Sequence, residues 1–135
     1  MNLSVHFIFA LIPSIVLFSI DKTYGIAFFI GAFLIDIDHL IWYLMRYKSL
    51  NIKKAYKLHK YRENIDLDVL HVFHVWEFWA LIAILSLFNN LFFIMLIGMI
   101  YHQIFDFYDL ATHMECIDHR AISFFFWLKR HPRRL

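Results

Sequence analysis

Apolar residues gather in four long stretches, about residues 3–20, 24–45, 69–88 and 91–110, with the polar residues concentrated between them. Each stretch approaches the roughly 20 helical residues that cross a hydrocarbon core. The pattern therefore predicts four transmembrane helices. The breaks at Asp21-Lys22-Thr23 and Asn89-Asn90 leave room only for tight turns, which makes two antiparallel helical hairpins. Pro13 lies inside the first helix and is expected to kink it. The expected fold is an all-α integral membrane protein, a four-helix bundle with short interfacial helices. It forms a single domain over residues 1–135, with a basic loop at 46–68 and an interfacial C-terminal segment at 119–135.

Composition agrees with a lipid setting. Hydrophobic residues make up 61% of the chain and aromatic residues 20%, against about 45–50% apolar residues in soluble domains. No Lys or Arg precedes the first stretch, and no small-residue cleavage site follows it, so it reads as a retained span rather than a signal peptide. Basic residues set the orientation. The 46–68 loop carries Arg46, Lys48, Lys53, Lys54, Lys57, Lys60 and Arg62, and the C-terminal segment carries Arg120, Lys129, Arg130, Arg133 and Arg134. The other two connections hold only Lys22. The positive-inside rule puts both basic segments, and with four spans both termini, in the cytoplasm. The localisation this implies is a prokaryotic plasma (inner) membrane.

Three clusters interrupt the apolar pattern: Asp36-Ile37-Asp38-His39, His71 to Glu77 with His74 between, and His102-Gln103-Ile104-Phe105-Asp106. An ionisable side chain at the bilayer centre costs about 2.5–3.5 kcal/mol on insertion scales, so such clusters need a stabilising partner. A metal ion is the partner their chemistry suits. With His6 at the cytoplasmic start of the first helix, the expected topology places all these residues in the inner leaflet. Residues three or four apart share a helix face. That pairs Asp36 with His39, His71 with His74, His74 with Glu77, and His102 with Asp106, while Asp38 points about 100° from His39. The one cysteine, Cys116, excludes a thiolate zinc knuckle and an intrachain disulfide.

The expected ligands are therefore His6, Asp36, His39, His71, His74, His102 and Asp106, holding one or two divalent ions. Zinc is the first choice, and manganese and iron suit the same imidazole and carboxylate set. Asp38 and Glu77 are the candidate catalytic residues, Glu77 as a general base or a further ligand and Asp38 as an orienting partner or a ligand to a second ion.

The segments Val5-His6-Phe7, Leu34 to His39, Leu70-His71 to His74, and His102 to Asp106 together resemble the small membrane-bound metal-dependent hydrolases typified by a LexA-binding inner-membrane-associated hydrolase. That family's pattern is an N-terminal His, a Pro-Asp-Ile-Asp-His-like motif, a His-Arg-x-x-Thr-His-like motif and a late His-x-x-x-Asp. The likeness covers about 100 residues, His6 to Asp106, in the family's order. Two departures mark a divergent member: Ile35 stands where the family has Pro, and the third motif reads His-x-x-His followed by Glu77. The resemblance implies hydrolysis of a phosphate ester or phosphodiester, such as a phospholipid headgroup, by metal-activated water. The alternative is a non-enzymatic divalent-metal-binding membrane protein: a transporter, a sensor or a metal-stabilised scaffold. The outer halves of the spans are nearly devoid of ionisable groups, which argues against transport.

The expected partners are membrane lipids, anionic ones among them, and no nucleic acid, because the membrane accounts for the positive charge. His59 and His131 read as solvated and Cys116 as inert. Asp109, His113 and His119 read as a solvated helix end, with a mouth to the site as the other possibility.

Overall fold

The computed structural model describes residues 3–61, 70–113 and 122–130, with side chains over 5–58, 70–108 and 122–130. Its elements are α1 (Leu3–Ile20), α2 (Lys22–Ala32), a 3-10 turn (Leu34–Asp36), α3 (Ile37–Tyr47), α4 (Ile52–Tyr61), a second 3-10 turn (Val72–His74), α5 (Trp76–Ser86), α6 (Asn90–His113) and α7 (Phe124–Arg130). No strand occurs among the described residues. The protein is all-helical, as its apolar pattern predicts.

Packing divides the chain into two compact units, Met1–Ile35 with Ala80–Ile117, and Asp36–Trp79 with Asp118–Leu135. In the first unit α2 packs against both α1 and α6. Asp21 starts α2: its carboxylate accepts the Thr23 N–H at 2.7 Å as an N-cap. The Thr23 hydroxyl and N–H together hold that carboxyl below its ordinary pKa. The core gathers Ala10, Phe28 and Ala32, with Leu17, Phe29, Ile94 and Tyr101 around them. Small residues let the helices approach. A Cβ at Gly31 would collide with the Met95 carbonyl, and one at Gly98 with the Phe28 carbonyl, so α2 and α6 touch backbone to backbone. Such glycine-mediated contacts are a common way for helices to associate in lipid.

In the second unit, α3 ends at Lys48, which takes a left-handed conformation (φ 49°) and donates its N–H to the Leu44 carbonyl. α4 begins with Asn51 accepting the Lys54 N–H at 3.0 Å. It packs on α3, with Ala55 buried and Lys53, Lys54 and Lys57 exposed.

Two expected spans depart from continuous helices. The second breaks at Phe33 (φ −132°, ψ −46°), whose N–H closes the last turn of α2. The third, expected over 69–88, becomes helical only at Trp76. Before it, His71 is extended (φ −102°, ψ 102°) and Val75 likewise (φ −80°, ψ 147°). Within this segment Phe73 donates its N–H to Asp38 Oδ2 at 3.0 Å, a side-chain partner from outside the segment. Non-helical backbone at membrane depth is tolerated only where its polar groups are satisfied within the protein.

By length and apolar composition together, α6 alone qualifies as a membrane-crossing helix among the described residues, over Asn90–Tyr108. The bent pair Lys22–Ala32 and Leu34–Tyr47 qualifies if counted as one span. Val5–Ile20 and Trp76–Ser86 are apolar but shorter.

Candidate metal centre

The break after α2 puts Asp36, Asp38 and His39 at the first turn of α3, and the 3-10 turn brings His71 and His74 to the same carboxylate. His39 Nδ1 lies 2.8 Å from Asp38 Oδ1, and His74 Nδ1 lies 3.0 Å from Asp38 Oδ2. An ionised carboxylate can only accept, so both rings carry their proton on Nδ1 and their lone pair on Nε2. Asp38 is buried (4% exposed) and also receives the Phe73 N–H. His71 Nδ1 lies 3.7 Å from Asp38 Oδ1, and its ring stacks on His39 with centroids 3.9 Å apart.

Asp36 completes this group from a partly exposed position. Its Oδ1 is 3.7 Å from His74 Nε2 and 3.6 Å from His39 Nδ1. Separations of this size exceed a hydrogen bond. The separation from His74 Nε2, which carries a lone pair, comes close to the roughly 3.4 Å between two ligand atoms that each sit about 2.0–2.1 Å from a tetrahedral zinc. Ligand atoms of Asp38, His39 and His74 all fall within 4.8 Å of one another, so these residues can hold a divalent ion.

The first unit has a group of its own. His6 Nε2 lies 3.4 Å from Asp106 Oδ1, and His102 Nε2 lies 3.5 Å from Asp106 Oδ2. Both separations again match ligand–ligand spacing better than hydrogen-bond length. His102 Nδ1 lies 3.0 Å from the Ala32 carbonyl. A carbonyl only accepts, so the proton of this ring sits on Nδ1 and its lone pair on Nε2, the nitrogen facing Asp106. A metal-ligating histidine is ordinarily oriented in this way by its other nitrogen. The close α2–α6 approach at Gly31 and Gly98 makes the contact, since Ala32 follows Gly31 and His102 lies one turn beyond Gly98.

Among the sequence expectations, Asp36–His39 and His102–Asp106 are neighbours at the expected spacing, and His6 joins the latter pair. His71 and His74 meet, with centroids 5.9 Å apart, but through the turn rather than a helix face. The expected divergence of Asp38 from His39 is replaced by direct contact. Glu77 does not join His74. Its carboxylate accepts the Ser123 hydroxyl and the N–H groups of Phe124 and Phe125. Ser123 and the Ala32 carbonyl are participants that the sequence reading missed. Ser123, standing directly before the apolar run Phe124 to Leu128, carries a recognisable N-cap signal; a backbone carbonyl carries none. The side chains of His59, Asp109 and His113, together with Cys116, His119 and His131, lie outside the described residues.

No protein-family model, curated protein or solved structure matches this chain.

Proposed function

We propose that this protein is a membrane-embedded, metal-dependent hydrolase acting on a phosphate ester or phosphodiester of a lipid headgroup, with zinc as its ion. One observation carries the reading. A buried carboxylate, Asp38, orients His39 and His74 through their Nδ1 atoms, while Asp36 stands at ligand spacing from His74. In this reading His39, His74 and Asp36 bind one ion, with His71 beside them, and His6, His102 and Asp106 bind a second. Asp38 holds the tautomers that present Nε2. A divalent ion so held supplies Lewis acidity toward a water and an ester oxygen.

The membrane setting is part of the proposal. Four spans, cytoplasmic termini and an inner-leaflet site are supported by the basic loops and by an inverted surface. His6, Asp38, His71 and His102 are buried, whereas Ile12, Ile15, Ile20, Leu87, Phe88 and Ile104 are all more than half exposed. That distribution suits lipid as the solvent. The order of the His and Asp motifs favours a divergent member of the small membrane-bound metal-dependent hydrolases. Headgroup depth and basic flanks favour anionic lipid as substrate and partner.

The test is elemental analysis of the full chain in lipid nanodiscs, together with headgroup or phosphate release from anionic vesicles. Wild type is expected to carry stoichiometric metal and to release product, and His39→Ala to lose both. Metal without turnover would move the assignment to a metal-binding membrane protein of another kind. No metal, with His39→Ala unchanged, would overturn the site itself.

A further inference from the structure

We propose that Glu77 is a positioning residue: it clasps the segment Ile122–Phe125 against the chain just after His74 and so holds that imidazole toward the ion. This role rests on the metal-centre reading above.

The need for a clasp follows from the local backbone. His74 closes a single 3-10 turn, with its N–H on the His71 carbonyl at 3.0 Å, and Val75 after it is extended. An extended link has no helical ladder to fix it, so its direction must be set by what it is tied to. The ties lie in the next two residues. Trp76 donates its N–H to the Ile122 carbonyl at 3.1 Å. Glu77 then engages both carboxylate oxygens: Oε1 takes the Ser123 hydroxyl and the Phe125 N–H at 3.3 Å, and Oε2 takes the Phe124 N–H at 3.0 Å. Ser123 is buried, and its Oγ accepts the Phe126 N–H at 3.3 Å, so hydroxyl and carboxylate together cap the start of α7.

Hydrogen bonds to a charged acceptor are roughly twice as strong as neutral ones, which makes this carboxylate the strongest tie between the two segments. The same geometry argues against Glu77 as a general base. A general base must aim a lone pair at the proton it takes, and both oxygens of Glu77 are directed at the start of α7. A Glu77→Gln change keeps the shape but loses the charge and cannot keep three donors satisfied, because an amide offers only one accepting oxygen.

The experiment uses the full chain in nanodiscs with Co2+ alone as probe, reading affinity and ligand-field absorption, and in parallel the hydrogen exchange of the Phe124 and Phe125 amides. Glu77→Ala is expected to weaken Co2+ binding about tenfold, the lower end of what removing an outer-shell support costs, and to alter the absorption band. General destabilisation would lower the amplitude of that band without changing its shape. Ser123→Ala should act in the same direction, the double variant should be no worse than Glu77→Ala, since the two act as one unit, and Ser123→Thr should behave as wild type. Exchange at Phe124 and Phe125 should accelerate in both alanine variants without metal present.

Unchanged exchange in Glu77→Ala would overturn the clasp. Faster exchange with unaltered Co2+ affinity and spectrum would overturn its link to His74. Loss of binding in Glu77→Ala with Ser123→Ala unaffected would make Glu77 a ligand instead. Wild type that takes up no Co2+ would remove the metal-centre reading and the positioning role with it, while the exchange data still decide the clasp.

Discussion

At Asp38 one carboxylate serves three N–H donors, from His39, His74 and Phe73, with two oxygens. Asparagine has nearly the same shape but offers one accepting oxygen and a donating amide. On the amide side a ring N–H would face another donor, so that imidazole must move its proton to Nε2 and withdraw its ligand lone pair. Asp38→Asn is therefore expected to lower zinc affinity about 10- to 100-fold, measured by competition with a chelator, while the protein remains folded. Unchanged affinity would mean that Asp38 does not set the tautomers. Spacing along the sequence made the Asp36–His39 and His102–Asp106 pairs legible, because His102 and Asp106 share α6 and Asp36 stands at the N-cap position of α3, one turn before His39. It could not reveal the role of Asp38, whose partners His74 and Phe73 lie 36 and 35 residues away and reach it through a turn.

Among the elements, α1 and α6 lie close to the apolar stretches that predict them, Leu3–Ile20 and Asn90–His113 against 3–20 and 91–110. The breaks at Phe33 and before Trp76 were not legible, since both occur inside stretches whose overall apolar character predicts continuous helices. The break before Trp76 accompanies a backbone N–H diverted to a distant carboxylate. The α2–α6 contact gives a test in which two effects have opposite signs. Helix propensity favours alanine over glycine by about 0.8–1 kcal/mol, so Gly98→Ala on an open helix face would stabilise. Here the new Cβ meets the Phe28 carbonyl and the Ala32 backbone nitrogen, and neither can swing aside as a side-chain tip could. Overpacking of this kind costs about 1–3 kcal/mol, so the steric effect is expected to win. Gly98→Ala should lower the unfolding midpoint in detergent and, by moving Ala32 from His102, weaken metal binding. A raised midpoint would show that the helices separate easily.

For the molecule as a whole, α5 sets the decisive question about topology. Its 11 residues span about 16 Å at 1.5 Å per residue, only half of a hydrocarbon core of about 30 Å. The turn and extended residues before it must supply the remaining depth if the third stretch crosses the bilayer. The proposed topology has it cross. Asn51 lies beside Lys53, Lys54 and Lys57, whereas no basic residue stands near Asn89, so the positive-inside rule puts them on opposite sides. In a Cys116→Ser background, Asn89→Cys in intact cells should react with a membrane-impermeant maleimide. Asn51→Cys should react only after permeabilisation. If Asn89→Cys also needs permeabilisation, α5 enters and leaves by the same face. Its half-length would then be that of a re-entrant helix, and α6, which follows it directly, would cross from the cytoplasmic side instead. The His102 and Asp106 end of α6 would move to the outer leaflet, away from the inner-leaflet headgroups on which the substrate assignment depends.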